Sequence, residues 1–578
     1  MEERKIGLIT MLQKRWTIKQ SDPQLVEELQ EALRIHPVFC ALLVQRGIHS
    51  FEQARNFFRA DRSQWHDPFL MKGMQEAVRL IRQVIEQQER ILIYGDYDVD
   101  GTTAVAVVYS YFRHFYPHIE FYIPHRFNEG YGISEKGINY AIEQGISLII
   151  TLDCGIKSVE LVEKARQHDI DVIICDHHMP DEHLPRANAI LNPKQADCPY
   201  PYKELCGCGV GFKLISAFDL VYPQEAELVN RHLDLVATAI AADIVPITGE
   251  NRTLCVLGLE KANRDPSMAL LALRNISQLE RPFTISDLVF IIAPRVNAAG
   301  RMDDARKAVE LFTADNLALA ETIARGLHED NNDRRDIDKQ TTEEALLLIS
   351  EDEQHAGQLS TVVYQPHWHK GVIGIVASRL IDHHYRPTIV LTHSNGRVTG
   401  SARSIKGFNL FEGLSHCAEY LETFGGHYFA AGLTLQEKKL NDFRKRFDEV
   451  VKEILPEDKY EPEIEIDAEL FFQDIHEKFL GILIQFAPHG PENMRPVFLS
   501  RGVRNYQNQS VIAKEKHIRF QVQQAGSQPF SGIGFNLADK FHLLQEDALI
   551  DLIYHIEVNE WQGRNTIQLK VLDIRAAE

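Results

Sequence analysis

Ile91-Leu92-Ile93-Tyr94-Gly95-Asp96-Tyr97-Asp98-Val99-Asp100-Gly101-Thr102-Thr103 is the stretch on which the reading of the whole chain turns. It opens with a short apolar run of the length of a buried strand. Three carboxylates follow at alternating positions, and Gly95 and Gly101 allow tight turns around them. No basic residue within the stretch neutralises them. Carboxylates crowded in this way repel one another unless cations lie between them, and divalent metal ions are the natural counter-charge. The D-x-D-x-D-G spelling also begins an EF-hand calcium loop, but Val107 stands at the twelfth position, where that loop needs its Glu. A solvated acidic turn is the competing reading of the stretch taken alone.

Further β-rich runs lie outward from it: Ile119–Ile123, Ser147–Leu152, Asp171–Cys175 and Ala189–Leu191. Helix-like stretches at Thr102–Phe115, Glu135–Glu143 and Ser158–His168 alternate with them. This alternation predicts an α/β fold with a parallel, doubly wound sheet, whose ligands gather beyond the carboxyl ends of the strands. Asp153 follows Leu148–Leu152, and Asp176-His177-His178 follows Val172–Cys175. Three of these strands thus lead into Asp or His, the residues that ligate metals or donate protons. Mixed Asp and His ligation favours Mn²⁺ over Ca²⁺ and, by a smaller margin, over Mg²⁺. Neighbouring side chains on an extended strand point opposite ways, so His177 and His178 are expected to do different work. Asp243, after Ala241-Ala242, reads by itself as a helix cap.

The set Asp96-Tyr97-Asp98-Val99-Asp100-Gly101, Asp153, Asp176-His177-His178 and Asp243 resembles the four motifs of the DHH phosphoesterase superfamily. Other stretches resemble the RecJ nucleases within it: Arg126–Gly132, Leu205–Lys213 and Pro294–Met302, the last holding Arg295, Asn297 and Arg301. His369–Arg379, Gly400-Ser401-Ala402-Arg403-Ser404 and Phe424-Gly425-Gly426-His427 resemble the DHH-associated domain. The resemblance implies that Asp98, Asp100, Asp153, His177 and Asp243 ligate two divalent ions, with Asp153 bridging and Asp96 beside them. His178 would donate a hydrogen bond or proton near the scissile phosphate, and Asp176 would orient the histidines. The implied activity is 5′→3′ exonucleolytic hydrolysis of single-stranded DNA to nucleoside 5′-monophosphates, in DNA repair and recombination. A pyrophosphatase, an oligonucleotide or cyclic-dinucleotide phosphodiesterase and a non-catalytic repair scaffold are the rivals. No motif acid is missing, which counts against the scaffold.

The remaining chain divides by composition. Residues 1–75 read as an N-terminal helical extension and 76–315 as the catalytic domain. Residues 316–350, without proline and with the single glycine Gly326, read as a connecting helix. Residues 351–456 read as a second α/β domain that binds substrate. To Arg126, Arg295, Asn297 and Arg301 it adds the expected contacts His369, Ser401, Arg403, Gly425, Gly426 and His427. Arg403 beside Ser401 suits phosphate capture, a guanidinium fork plus a hydroxyl; a surface salt bridge is the plainer alternative for any one Arg. Residues 456–470 carry seven acids against one Lys, with Pro456 and Pro462, and mark a boundary. From 457 onward short alternating strands predict a β-barrel of the OB type. There Arg501, Arg504, Lys514, Lys516 and Arg519 alternate with Tyr506 and Phe520, a recipe for single-strand binding or a merely solvated face. A chain cut near Pro456 is accordingly expected to keep hydrolysis of short strands and to lose affinity for long ones.

The 578 residues carry a formal net charge of −20, 44% apolar and 25% charged residues. The net charge argues against a uniformly basic nucleic-acid surface but leaves room for a metal-inverted site and a local basic groove. No apolar run of membrane-spanning length occurs, and the charged N-terminus leads into no signal-like core. Eight scattered cysteines without a CxxC pair suggest reduced thiols in a cytoplasmic protein. Single-stranded DNA is the expected partner, joined by a single-strand binding protein or a repair helicase, with the chain itself monomeric.

Overall fold

The computed structural model describes residues 14–352, 355–544, 548–561 and 564–577. The chain forms two compact units, one of residues 18–300, 304–327 and 465–578, the other of residues up to 17, 301–303 and 328–464.

In the larger unit, strands β1 (Ile91–Gly95), β2 (Ile119–Tyr122), β3 (Leu148–Leu152), β4 (Asp171–Cys175) and β5 (Ala189–Leu191) make an all-parallel sheet. β1 and β3 are buried along their whole length, which is why they read as unbroken apolar runs rather than as alternation. The strand order is β2-β1-β3-β4-β5. The order reverses at β1, so the space beyond the carboxyl ends of β1 and β3 is the switch point at which such sheets bind ligands. Helix α1 (Val99–Arg113) leaves β1 and packs on α2 (Gly207–Val221) and α3 (Leu233–Asp243); α4 (Gly249–Arg264) packs on α3. α1 is buried on nearly every side, in keeping with its Val- and Ala-rich sequence.

The unit also contains the C-terminal barrel. Its strands are β11 (Ala468–Glu469), β12 (Phe498–Asn505), β13 (Val511–Ala513), β14 (His517–Gln524), β15 (Phe530–Gly534), β16 (Ile550–Trp561) and β17 (Arg564–Ala576). They form one sheet, β11-β12-β16-β17-β15-β14-β13, and a further β12–β14 pairing curls it back on itself.

This barrel is bolted to the helices of the parallel-sheet domain. Arg252 of α4 is buried and donates to the carbonyls of Gln485, Phe486, Ala487 and Pro488, and to that of Phe57. Its guanidinium lies 3.8 Å from the centre of the Phe57 ring. Arg46 donates to Asn493 Oδ1 at 2.7 Å and to the Met494 carbonyl, and the Ile247 amide donates to the Pro491 carbonyl. The Phe39 ring stands 4.3 Å from that of Phe479. Residues 18–75 are therefore knit to the barrel's entry segment rather than standing apart from it.

Helix α5 (Leu317–Glu351) runs unbroken for 35 residues. In the smaller unit, β6 (Thr361–Tyr364), β7 (Thr388–Ser394), β8 (Arg397–Arg403), β9 (Leu421–Gly426) and β10 (Ala430–Leu435) form a sheet in the order β9-β10-β8-β7-β6. Only β6 and β7 pair in parallel there. Helix α6 (Ile373–His384) covers β7 and β8. Among the described residues no helix is long and apolar enough to cross a membrane. All eight cysteines are free and buried.

Candidate metal centre

Asp96, Asp98 and Asp100 leave the end of β1 at the switch point. Asp98 is the N-cap of α1, its carboxylate accepting from the Gly101 amide at 2.9 Å. Gly101 is obligatory there, since a Cβ would stand 2.7 Å from the Asp96 carbonyl oxygen. Asp100 lies one residue inside α1 and is buried; both its oxygens accept from the first amides of α2, Oδ2 from Gly207 at 2.6 Å and Oδ1 from Cys208 at 2.8 Å. Asp153, beyond β3, has a left-handed backbone (φ 59°), a conformation Asp and Asn tolerate better than other side chains.

The acids converge on His177. Its Nε2 lies 3.2 Å from Asp153 Oδ1, 3.6 Å from Asp243 Oδ2 and 3.9 Å from Asp100 Oδ2. Asp243 is the last residue of α3, not an N-cap. His177 and His178 do differ in their partners, but not because they face opposite ways: β4 ends at Cys175, and the two rings sit 4.6 Å apart beyond it. Asp176 Oδ1 accepts from the amides of His177 and His178 and lies 2.7 Å from His178 Nδ1, while Oδ2 accepts from the Ile156 amide. Asp176 is thus saturated and holds the His178 ring from behind.

The hydrogen-bond census separates the acids by task. Asp96 Oδ2, Asp153 Oδ1, Asp243 Oδ2 and His177 Nε2 are buried without a hydrogen bond, although the Asp153 and Asp243 oxygens lie 3.2 Å and 3.6 Å from His177 Nε2. Buried polar atoms are nearly always hydrogen-bonded. Four exceptions in one cluster make a donor set suited to a cation, and carboxylate oxygens plus one imidazole suit Mn²⁺ or Mg²⁺. Ligand atoms of Asp153, His177 and His178, and of Asp100, His177 and Asp243, lie close enough within each group to share an ion.

Electrostatics agree. Burial, then the neighbouring Asp98 charge, pushes Asp100 up to about 7. Burial and the surrounding carboxylates hold Asp96, Asp153 and Asp243 well above the usual range. Burial and the adjacent His178 bring His177 down to about 3, the neutral form that a metal requires. For His178 burial opposes protonation, but the hydrogen bond and charge of Asp176 outweigh it and raise the pKa.

A stability prediction follows for the metal-free protein. A carboxyl whose folded pKa is raised binds more protons folded than unfolded, so stability falls as pH climbs toward that pKa. Between pH 6.5 and 8.5 the folded His177 is neutral, while at pH 6.5 an unfolded one is still half protonated. It therefore adds a few tenths of a kcal/mol of stability as pH rises, whereas His178 loses its bonus. The carboxyls and His178 act in the other direction and outweigh that small opposing share. Each carboxyl titrating through that window costs up to about 1.4 kcal/mol per pH unit. Protein stripped with EDTA is expected to melt about 5 °C or more lower at pH 8.5 than at pH 6.5, and Mn²⁺ is expected to abolish the difference. Thermal scans at both pH values, with and without the metal, check this; a chelated protein indifferent to pH would contradict it.

The other expected site residues fall into three groups. Arg126 stands in the larger unit with its guanidinium 4.8 Å from the centre of the Tyr97 ring, beside the acids. Arg295 and Asn297 lie in the helix Ala293–Met302, where Arg295 donates to the Ile291 carbonyl. The smaller unit gathers a second set. Arg301 donates to the Gly371 carbonyl, and His369 Nδ1 accepts from the Gly371 amide. A Cβ on Gly374, in the first turn of α6, would meet Ser401 Oγ at 2.8 Å and Arg403 Nη2 at 2.9 Å. Ser401 opposes Gly432, which in turn opposes Gly425, so Gly425, Gly426 and the His427 turn lie on the same sheet as Arg403. In the barrel, Arg501 is engaged by Glu469 and Asp551, each at 3.0 Å. Arg504, Lys514, Lys516 and Arg519 are exposed and Tyr506 is half-buried. Phe520 does not face solvent: it is in the barrel core, and the exposed aromatic nearby is Phe535, edge-on to His517. The outward positions of β14 are its odd-numbered residues, so Arg519 is outside and Phe520 inside.

Sequence reasoning passed over three contributors. The Gly207 and Cys208 amides hold Asp100, the Gly132 amide donates to Asp96 Oδ1, and Tyr131 Oη lies 3.0 Å from the Asp153 carbonyl and 3.1 Å from His178 Nε2. Two of the three are backbone groups with no signature in side-chain identity; all three lie in Arg126–Gly132 or Leu205–Lys213, stretches that carry the family resemblance but gave these residues no role.

Comparison with known proteins is consistent with this geometry. Residues 90–240 match the DHH family N-terminal domain, 357–453 the DHHA1 domain and 466–573 the RecJ OB domain. The single-stranded-DNA-specific exonuclease RecJ of Bacillus subtilis (strain 168) is 38% identical over 567 residues, covering 98% of this chain and 71% of that protein. RecJ of Dickeya dadantii (strain 3937) is 34% identical, covering 98% of this chain and 99% of its relative. RecJ of Thermus thermophilus, crystallised with Mn²⁺, has the same fold, with a TM-score of 0.82 at 24% identity over 98% of this chain and 80% of that one. With near full-length identity on that scale, and a DHH domain, a DHHA1 domain and an OB domain in the same order, the chain belongs to the RecJ family of single-stranded-DNA-specific exonucleases.

Proposed function

We propose that Asp98, Asp100, Asp153, His177 and Asp243 would hold two divalent ions, Mn²⁺ or Mg²⁺, with Asp96 adjoining. At this centre the chain hydrolyses single-stranded DNA from its 5′ end to nucleoside 5′-monophosphates. The observation that carries the reading is the cluster of buried, partnerless atoms on Asp96, Asp153, His177 and Asp243. Ions bound there supply a nucleophile at neutral pH and neutralise charge developing on the phosphate. The chain's own part is orientation. Asp176 fixes Nδ1 of His178, leaving Nε2, now beside Tyr131 Oη, to turn a hydrogen bond or proton toward the scissile phosphate. Arg403 and Ser401, lying against the first turn of α6, hold a phosphate, with His369, Arg301 and the His427 turn close by in the same unit. Arg504, Lys514, Lys516 and Arg519 track the strand's backbone across the barrel. Action in repair and recombination beside a single-strand binding protein or helicase, as a cytoplasmic monomer, belongs to the same proposal and rests on kinship alone.

The test is incubation of 5′-labelled single-stranded and double-stranded DNA with Mn²⁺, Mg²⁺, Ca²⁺ or EDTA, reading product length. Labelled mononucleotide from the single strand with Mn²⁺ or Mg²⁺, a resistant duplex and poor activity with Ca²⁺ are expected, because calcium prefers many loosely arranged oxygens over a site containing His. Full activity in EDTA, or internal cuts, would refute it.

A further inference from the structure

The stretch Leu205-Cys206-Gly207-Cys208-Gly209 has so far no task, yet it stands against two of the candidate ligands. α2 begins at Gly207 and is 15 residues long. The first four amides of a helix have no partner inside it. The amides of the first three helical residues each have one: that of Gly209 donates to Cys206 Sγ, while those of Gly207 and Cys208 donate to opposite oxygens of Asp100, and the helix's own bonding begins with the Val210 amide on the Cys206 carbonyl. Asp100 therefore caps a helix that begins 107 residues further along the chain. Gly207 also presses on Asp153. A Cβ at that position would lie 2.5 Å from Asp153 Cβ and 2.7 Å from Asp153 Oδ1, closer than real Cβ contacts come. Asp153 is itself buried, and that same Oδ1 has no hydrogen-bond partner.

We infer that the start of α2, through the Gly207 and Cys208 amides and the bare Cα of Gly207, is a positioning device that sets the two carboxylates Asp100 and Asp153 for divalent-metal binding. The inference rests on the two-ion reading given above. Each amide takes one lone pair of an Asp100 oxygen and leaves the other directed away from α2, so the carboxylate cannot rotate to chelate in another plane. The helix terminus also places partial positive charge beside an acid that has no basic side chain within hydrogen-bonding reach among the described contacts. α1, capped by Asp98, brings a second such terminus to the same cluster. Two helix starts thus moderate the repulsion among the acids while leaving the partnerless oxygens of Asp153 and Asp243 for the ions.

The test uses the full-length protein and measures Mn²⁺ binding by calorimetry or by the paramagnetic resonance of free Mn²⁺, alongside kcat and KM on single-stranded DNA. Cys208→Pro removes one amide at a position where helices accept proline, because that N–H serves no intrahelical bond. Cys208→Ala keeps the amide. Gly207→Ala introduces the Cβ against Asp153. Loss of outer contacts to metal ligands typically weakens metal affinity 10–100-fold. Cys208→Pro and Gly207→Ala are expected to weaken Mn²⁺ binding by about that factor and to lower activity at limiting Mn²⁺, with excess Mn²⁺ restoring most of the loss for Cys208→Pro and KM for DNA nearly unchanged. Cys208→Ala is expected to retain the affinity. Should Gly207→Ala fail to fold, Cys208→Pro still decides. Mn²⁺ affinity in Cys208→Pro equal to that of the parent would overturn the inference while leaving the two-ion reading intact. Failure of the parent protein to bind Mn²⁺ would overturn that reading itself.

Discussion

Removing residues 457–578 is expected to melt the metal-bearing unit, not merely to trim a binding module from it. The composition of the acidic, proline-bearing segment after Pro456 makes a cut there look harmless. The contacts that cross it argue the opposite. Such a cut deprives Arg252 of the carbonyls of Gln485, Phe486, Ala487 and Pro488, Arg46 of Asn493 and Met494, and Ile247 of Pro491. It also bares Phe39, which is fully buried, and uncovers the side of Phe57 that Phe486 covers at 5.5 Å. At about 1 kcal/mol net per hydrogen bond and about 2 kcal/mol per aromatic side chain, the loss is on the order of 10 kcal/mol. That is as large as the whole stability of a typical domain. Circular dichroism and calorimetry of the truncated chain are expected to show no cooperative transition, or one more than 10 °C lower. Cooperative melting within a few degrees of the intact protein would mean that the barrel is an appendage after all.

Asp153→Asn is expected to lower hydrolysis by at least a hundredfold and, in the same protein freed of metal, to raise the melting temperature. The two effects share one cause. Asp153 is one of the proposed metal ligands, and losing even an outer contact to a metal costs 10–100-fold. In the metal-free state, however, burial and the charges of Asp100, Asp98 and Asp243 all disfavour its ionised form. Neutralising it relieves that repulsion at any pH where the parent is charged. Asn is the substitution to use, because at φ 59° it accepts the left-handed backbone that Ala would resist. Steady-state rates with Mn²⁺, and thermal scans in EDTA at pH 8, measure the two halves separately. A stabilised but fully active variant would remove Asp153 from the chemistry. An inactive and equally destabilised one would make it a folding residue.

The parallel sheet was legible because its central strands are buried along their length and so appear as apolar runs, and because three of its five strands lead into the acids or imidazoles that chemistry wants at a strand's carboxyl end. The long helix showed itself through what it lacks, proline and all but one glycine. Arg501 could not be judged from the sequence: its partners Glu469 and Asp551 lie 32 and 50 residues away, and only folding reveals that its charge is engaged. Phe520 looked like a stacking ring because the alternation of β14 was read for composition without fixing which parity faces in. Arg252 gave no sign at all, since a cation satisfied by carbonyl groups leaves no complementary acid to notice.

Two of the three acids in the opening motif earn their place without any metal. Asp98 caps α1 and Asp100 caps α2, so selection for folding alone would preserve them. Asp243 Oδ2, His177 Nε2 and Asp153 Oδ1 cap no helix and make no hydrogen bond. Among distant descendants of this fold, then, an intact D-x-D spelling is weak testimony to a living enzyme. A lineage that abandons catalysis should let positions 177 and 243 drift before positions 98 and 100, which persist as fossils of the site held in place by the helices they cap.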